Sequence, residues 1–343
     1  MPHPAIENAL GFPCELLFLA DEEAQPVCTV LLQASYRIEA GGALLRNEEP
    51  VPLELAGTHH GDPAKSSPRI EAPVAFFKPS TDVVLLGHAH APSANTTELQ
   101  VGLRLGPVQK VVRVSGDRVM SRSLGRYAVS RPQAFENIPL IYERAFGGTD
   151  MRGGGAEGVL PCERRNPVGL GYRDPQQAED DEVLMPNIED PEQPFTAYGQ
   201  APPPAGFGFI APHWQPRTAL AGTFDAAWDA ERKPLLPRDF DRRFFNAASA
   251  GLIAPSYLRG DEAGVILNAS PEGRLDIKLP DTATPHCQIE LRGRRHLEQP
   301  LLLDTVIIDL DARQLLLQRR TFVPLQRGPE DIVSVRVLPR RSS

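Results

Sequence analysis

The stretch that decides the fold is Cys28–Ile38, which reads CTVLLQASYRI. Every second residue from Cys28 onward is apolar or aromatic, whereas the residues between them include Thr29, Gln33 and Arg37. Successive side chains of a β-strand point to opposite faces, and a period of two therefore predicts a strand with one face in the core. We predict a half-buried strand here.

The same period recurs along the chain, which indicates that strands dominate the fold. Alternating apolar residues occupy Leu99–Leu105 and Leu275–Leu279, and Thr305–Asp309 with Gln314–Leu317 reads as a hairpin around a short link. We predict a mainly β protein with a few short helices. Its β-sandwich or barrel-like lobes would be connected by long Pro/Gly-rich loops.

Helix signals are few. Thr223 is a candidate cap for a helix over Phe224–Glu231, and Pro237 is well placed to open a second one over Pro237–Ala248. The chain has 35 prolines in 343 residues, about twice the usual share of roughly 5%. Because proline fixes the backbone and cannot donate to a helix or a ladder, this composition indicates rigid turns and short elements.

The region 147–205 differs from the rest of the chain. It is rich in Gly, Pro, Asp and Glu and contains GGGAEG and PPPAG. A loop of this length is either a partly ordered surface excursion or an arm that meets a partner. We predict an N-terminal β lobe (1–146), a loop-rich arm (147–205) and a C-terminal β lobe with short helices (206–343), with one continuous domain as the alternative.

The net charge and the spacing of the cysteines reduce the number of protein classes to which this chain could belong. The formal net charge is −8, whereas a nucleic-acid-binding protein usually has a basic face. No segment has the apolar length of a membrane span or the pattern of a signal peptide, and we expect a cytoplasmic protein. The four cysteines lie far apart without a CxxC pair, which predicts reduced, mostly buried thiols. We expect no cofactor and no nucleic-acid or membrane partner.

The segment 206–247 reads GFGFIAPHWQPRTALAGTFDAAWDAERKPLLPRDFDRRFFNA and holds both tryptophans. Aromatic side chains supply large contact areas, and tryptophan and arginine are frequent anchors of protein interfaces. No nucleophile, base and orienting group stand at a catalytic spacing here. The segment therefore favours a role in shape and recognition over one in chemistry.

Two alternative functions rest on other residues. His88 and His90 form an HxH pair at a strand end and, with His60 and a nearby carboxylate, could serve a metal-dependent hydrolase. Trp214 and Trp228 could instead be stacking platforms of a carbohydrate-binding β module. The first alternative requires converging ligands, and the second requires two exposed indoles.

Several strings resemble a known bacterial family, the domain of unknown function 2169 (DUF2169). They are KPSTDVVLLGHAHAP at Lys78–Pro92, VSGDR at Val114–Arg118, PLIYERAFGG at Pro139–Gly148, NPVGLGY at Asn166–Tyr172, LMPNIEDP at Leu184–Pro191, and the block Pro204–Ala248. The strings run in order over most of the chain.

The resemblance implies a function as well as a family. Members of this family accompany type VI secretion effectors, often with a PAAR-like domain, and are regarded as non-enzymatic adaptors or chaperones that help to load the effector onto the VgrG spike. The family has no established active site, so the resemblance implies no catalytic residues. We expect the contact surface to combine the aromatic segment Gly206–Phe245 with part of the arm Met151–Pro204. Its predicted contact residues are Trp214, Arg217, Trp228, Phe244 and Phe245.

Overall fold

The computed structural model describes residues 4–152, 160–177, 179, 182–280, 283–293 and 295–339. The first strands are β1 (Ala5–Asn8), β2 (Cys14–Ala20), β3 (Pro26–Ile38), β4 (Leu44–Arg46), β5 (Thr58–His59), β6 (Pro68–Ile70), β7 (Asp82–Leu86), β8 (His88–His90), β9 (Glu98–Leu105), β10 (Val108–Ser115), β11 (Val119–Ser123) and β12 (Arg126–Val129). The later strands are β13 (Asn137–Pro139), β14 (Phe146–Gly147), β15 (Leu170–Gly171), β16 (Glu182–Leu184), β17 (Ile188–Glu189), β18 (Ala263–Leu267), β19 (Arg274–Lys278), β20 (His286–Leu291), β21 (Arg295–Pro300), β22 (Leu302–Asp309), β23 (Gln314–Pro324) and β24 (Ile332–Leu338).

Helices are short and few, as the prolines predicted. The part of the chain that the structure describes has two α-helices, α1 (Arg217–Leu220) and α2 (Ala226–Glu231), and single 3-10 turns at Ala40–Gly42, Tyr142–Arg144, Arg242–Phe245 and Pro329–Asp331. None of the helices in the described ranges has the length and apolar composition needed to cross a membrane. The prediction of a mainly β fold with a few short helices is confirmed.

Three open sheets form the body of the protein. A six-stranded sheet has the order β2-β3-β23-β22-β7, with β4 also paired to β3; a five-stranded sheet has the order β17-β10-β9-β18-β19; and a four-stranded sheet has the order β1-β24-β20-β21. The predicted hairpin is present as β22 and β23. The larger sheets combine strands from both sides of 147–205, and β3 of the N-terminal part pairs with β23 of the C-terminal part.

The long strand β3 packs against both of the other large sheets. Near its start, Cys28 and Val30 belong to an apolar cluster with Ile289 and Val335 of the four-stranded sheet. Near its end, Tyr36 belongs to the main core, which also contains the inward residues of the five-stranded sheet. The protein therefore consists of two β-sandwiches that share the six-stranded sheet. This agrees with the predicted sandwich architecture, and the sheets are open rather than closed into barrels.

The prediction that Cys28–Ile38 is half-buried is wrong, because both faces of β3 are covered. Only Arg37 is exposed in this range. On the polar face, Thr29 Oγ1 donates to the Phe76 carbonyl at 3.2 Å, and Gln33 Nε2 donates to the Val51 and Pro52 carbonyls at 3.1 and 3.0 Å. The loop that covers this face supplies backbone acceptors, and the polar side chains are buried without loss of hydrogen bonds.

The helix predictions need two corrections. Helix α2 begins at Ala226 and is capped by Asp225, whose side chain accepts from the Trp228 N–H, whereas Thr223 binds Asp239 instead. The predicted helix Pro237–Ala248 is only a 3-10 turn from Arg242 to Phe245. Asp241 caps this turn, since its side chain accepts from the Arg243 N–H, whereas Asp239 accepts from the Thr223 N–H of a distant segment.

A buried ion pair ties β7 to neighbouring segments. Lys78 Nζ lies 2.8 Å from an Asp82 carboxylate oxygen and 2.9 Å from Thr305 Oγ1. The same carboxylate accepts from Asn246 Nδ2 at 2.9 Å and from the Ala247 N–H at 2.8 Å. Asp82 is fully buried. The KPSTD string therefore has a structural role, since it connects the six-stranded sheet to the segment after residue 245.

We predict that Asp82→Asn lowers the free energy of unfolding by about 3–5 kcal/mol, because it leaves the Lys78 ammonium buried without a counter-ion. Guanidinium chloride unfolding measures the change. The matched control is Asp276→Asn, which breaks the exposed Arg274–Asp276 pair and should barely move the midpoint. The double variant Lys78→Met/Asp82→Asn should recover part of the loss. Equal effects of Asp82→Asn and Asp276→Asn would contradict this account.

Candidate binding pocket

A cavity of about 680 Å³ opens beside the aromatic segment. We call it the proline pocket, because five of its lining residues are prolines: Pro79, Pro203, Pro204, Pro216 and Pro255. The other lining residues are Ser80, Tyr142, Arg165, Ile210, Gln215, Arg217, Leu220, Arg243, Asn246, Ala248, Ser249, Ala250, Ile253 and Ala254. The pocket therefore lies where the start of β7, the end of the arm and the segment 210–255 meet.

The walls of the pocket are apolar and rigid. Proline has no N–H group and a fixed φ, so proline walls present apolar surface with little conformational freedom. Ile210, Leu220 and Ile253 add larger apolar side chains. Ile253 is 39% exposed, which is unusual for a large apolar residue next to a concave surface. A preformed pocket with apolar walls suits a ligand that buries its own apolar groups.

Tyr142 and Gly206 shape the floor of the pocket by close packing. The Tyr142 ring is 2% exposed and makes an edge-to-face contact with Trp214 at a centroid distance of 5.8 Å. A Cβ atom on Gly206 would lie 2.9 Å from the Tyr142 ring carbon that bears the hydroxyl. Burial raises the pKa of Tyr142 to about 12, although the Ser249 side chain opposes the rise. The GFGF string therefore needs its first glycine to accommodate this tyrosine.

Ser249 is a polar lining residue of the pocket, and Lys110, which is not among the lining residues, binds it. Lys110 Nζ donates to Ser249 Oγ and, at 2.9 Å, to the Ala250 carbonyl. Burial lowers the pKa of Lys110 to about 8, and the Asp190 carboxylate opposes this decrease. Ser249 itself is 2% exposed. Lys110 of strand β10 thus binds the turn at Ser249 and Ala250, and this turn lines the pocket.

Arg217, one of the predicted contact residues, lines the pocket but is firmly bound. Its Nη1 donates to Glu71 Oε1 at 2.9 Å and to the Ile210 carbonyl at 2.6 Å. Its Nε donates to the Phe244 carbonyl at 3.1 Å, and its guanidinium lies 5.1 Å from the centre of that ring. With 7% side-chain exposure, Arg217 fixes the wall and offers little free charge.

The other predicted contact residues do not share one exposed patch. Trp214 is buried at 2% exposure and supports the pocket from behind. Phe244 and Phe245 are half-buried and stack edge-to-face with each other at 6.0 Å. Trp228 lies on α2, 4.8 Å from the ring of Phe224, and donates its indole N–H to the Leu235 carbonyl. The contact roles of these residues remain predictions, whereas Trp214 has no open face on which a sugar could stack.

The histidines of the metal alternative are not brought together. His88 Nδ1 lies 2.9 Å from Asp311 Oδ1, and the rings of His88 and His90 are 6.4 Å apart. Burial lowers the pKa of His60, and Arg69 adds to the decrease. Within the described ranges, no three His, Cys, Asp or Glu side chains are grouped as ligands for a metal ion.

The arm 147–205 reaches the pocket because buried polar groups anchor it. Asn166 Nδ2 donates to the Tyr142 and Phe146 carbonyls at 2.8 and 3.0 Å. Glu189 accepts from Arg118 at 2.5 Å and from the Phe195 N–H at 2.8 Å. These contacts involve the PLIYERAFGG, NPVGLGY, VSGDR and LMPNIEDP strings, and the described parts of the arm are docked on the body.

Tyr142, Ser249, Lys110 and the wall prolines were not among the predicted site residues. Tyr142 lies in the PLIYERAFGG string. This string resembles the DUF2169 family, but nothing in it indicates a pocket. The prolines come from four separate parts of the chain. The sequence shows only that prolines are abundant, because a pocket wall formed by distant segments produces no local sequence pattern.

Comparison with known proteins gives a family. The model of the family described as "Uncharacterized protein conserved in bacteria (DUF2169)" matches residues 23–320. This range covers most of the chain and includes every lining residue of the proline pocket. No curated protein and no solved structure matched the chain.

We predict that the stability of the protein relative to Lys110→Met rises between about pH 8 and pH 10.5. In this window the unfolded lysine still binds a proton that the folded one has lost, so the unfolding free energy increases with pH by at most about 1.4 kcal/mol per unit. Urea unfolding at pH 7, 8, 9 and 10 measures both proteins.

The variant Lys65→Met, which removes an exposed ammonium group, controls for the loss of a lysine from the surface. All other titrating groups are common to the wild type and Lys110→Met, and their contributions cancel in the difference. A constant difference between the two proteins over the four pH values would show that Lys110 is not held near a pKa of 8.

Proposed function

Because the chain belongs to the DUF2169 family, we propose that it is a non-enzymatic adaptor or chaperone of type VI secretion. It binds an effector, often one with a PAAR-like domain, in the cytoplasm and helps to load that effector onto the VgrG spike. The family is described as an uncharacterised protein conserved in bacteria, and the physical properties of this molecule support the adaptor role.

The observation that carries the proposal is the proline pocket. It is an apolar concavity of about 680 Å³ with an exposed isoleucine, Ile253, among its lining residues. Burial of apolar surface stabilises a complex by roughly 25 cal/mol per Å². Prolines keep the walls in place before binding, and a preorganised surface loses less conformational entropy when a partner docks. These features suit the capture of an apolar segment of another polypeptide.

An adaptor of this kind must also release its cargo. Arg243 is the most exposed cation among the lining residues of the pocket, since Arg165 is paired with Glu163 and Arg217 with Glu71. Apolar burial with few buried charges gives moderate affinity, because the partner loses little when it leaves. Recognition of the effector therefore depends on shape and apolar contact.

We predict that Ile253→Arg lowers capture of the effector encoded beside this gene by about tenfold or more, because a charged side chain then occupies an apolar mouth. Capture is measured by co-expression and affinity purification with a tag on the adaptor. Leu267→Arg is the matched control, since Leu267 is 41% exposed and is not among the residues that line the pocket. Both variants should melt within a few degrees of the wild type.

Two outcomes count against different parts of the proposal. Undiminished capture by Ile253→Arg would remove the proline pocket from the contact surface. Failure of the wild-type protein to retain any neighbouring effector would remove the adaptor function itself.

A further inference from the structure

A second open cavity continues the proline pocket along the arm. It has a volume of about 650 Å³ and is lined by Cys162, Glu163, Arg164, Arg165, Gln215 and Pro216. Three of these residues, Arg165, Gln215 and Pro216, also line the proline pocket. The two cavities are therefore adjacent, and we call their combined surface the arginine groove.

The arginine groove is lined by more cationic than anionic side chains, in contrast to the acidic chain as a whole. Its lining residues include four arginines, Arg164, Arg165, Arg217 and Arg243, and one carboxylate, Glu163. Arg165, Arg217 and Arg243 each pair with a carboxylate, and Arg164 is the lining arginine for which the described residues supply no such partner. The whole chain carries a formal net charge of −8. A concentration of positive charge in a concave, partly apolar surface of an acidic protein attracts an acidic ligand and repels a basic one.

Two of the four arginines are held by the protein. Arg165 forms two hydrogen bonds with Glu163, at 2.8 and 2.7 Å, and also donates to the Ala201 and Pro202 carbonyls. Arg217 is bound to Glu71. These two guanidinium groups are fixed parts of the wall that connect the arm to the body.

The remaining two arginines are accessible, one in each cavity. The side chain of Arg243 is 72% exposed, and its partner Asp241 lies two residues away outside the groove. Arg164 is exposed, and its guanidinium makes no ion pair with any residue in the described ranges. Its carbonyl accepts from the Gln215 N–H at 2.9 Å, which fixes the backbone and leaves the side chain directed to solvent or ligand.

We propose that the arginine groove binds a polypeptide segment of the cargo in which acidic residues flank apolar ones. The apolar residues enter the proline pocket, and the acidic residues pair with Arg164 and Arg243. This inference rests on the proposed function for the identity of the partner, and on charge complementarity for its chemistry. Guanidinium groups suit carboxylates because both can form two parallel hydrogen bonds.

Fluorescence anisotropy tests the groove without any cargo. The probes are two labelled synthetic 12-residue peptides that repeat Asp-Leu-Pro or Lys-Leu-Pro. The wild-type protein should bind the acidic peptide at least tenfold more tightly than the basic one, and this preference should fall as salt rises. The double variant Arg164→Glu/Arg243→Glu should lose at least tenfold in affinity for the acidic peptide.

A closely matched control is available in the same chain. The double variant Arg126→Glu/Arg259→Glu makes the same change in net charge away from the groove. Arg126 is exposed, and Arg259 is 81% exposed and pairs with Asp261 two residues away, as Arg243 pairs with Asp241. This control should bind the acidic peptide like the wild type. Equal affinity for the two peptides, or equal loss in both double variants, would overturn the inference.

Capture of the co-expressed effector distinguishes this inference from the adaptor function. If the wild type captures the effector and Arg164→Glu/Arg243→Glu captures it equally well, the arginine groove is not the binding site and the adaptor function stands. If the wild type captures none, the adaptor function fails, and the peptide assay alone decides the chemistry of the groove. Weak capture by Arg164→Glu/Arg243→Glu with normal capture by Arg126→Glu/Arg259→Glu supports both.

Discussion

The pairing of β3 with β23 is the constraint on which the other sheets depend. Their register joins residues 27–37 to residues 314–324 without interruption. At roughly 3.4 Å per residue, the 13-residue strand β3 is about 44 Å long, which is enough to cover two sheets in succession. Arg319 lies opposite Leu32, at the point where one apolar cluster ends and the other begins. Both sandwiches therefore require the two ends of the chain to come together, a contact of very high sequence separation.

The strings that carry the family resemblance have structural roles wherever their contacts are described. Asp82 accepts three hydrogen bonds, from Lys78 and from the segment 246–247. Asn166 holds the turn after Tyr142, and Glu189 is held by Arg118. Each is buried and polar, and each is hydrogen-bonded to at least two other groups. Buried polar groups of this kind stabilise a fold only when their partners are in place, so the strings fix where loops and arm lie relative to the sheets. The proline pocket forms where these distant segments pack against one another.

Secondary-structure elements could be predicted from the sequence more accurately than the burial and tertiary contacts of individual side chains. Alternation identified the strands and the β22–β23 hairpin, because the period of a strand is local. It did not show that Thr29 and Gln33 are buried, because the loop that satisfies them is about 20 to 50 residues away in the sequence. Composition likewise marked the aromatic segment as important, but the inward position of Trp214 depends on Tyr142, some 70 residues earlier. Which aromatic groups become core and which remain on the surface is decided by tertiary packing.

Rigidity and reversible recognition have a common origin in this molecule. Five of the residues that line the proline pocket are prolines, which have no backbone N–H to donate, and its arginines are mostly engaged with the protein's own carboxylates and carbonyls. A partner therefore meets a surface whose polar groups are already satisfied, and it gains affinity mainly from apolar burial and from the few exposed charges. Such a surface binds a partner without changing its own conformation. When the partner dissociates, no buried charge is left unpaired. That combination is what a carrier needs if it must hold another polypeptide and later pass it on.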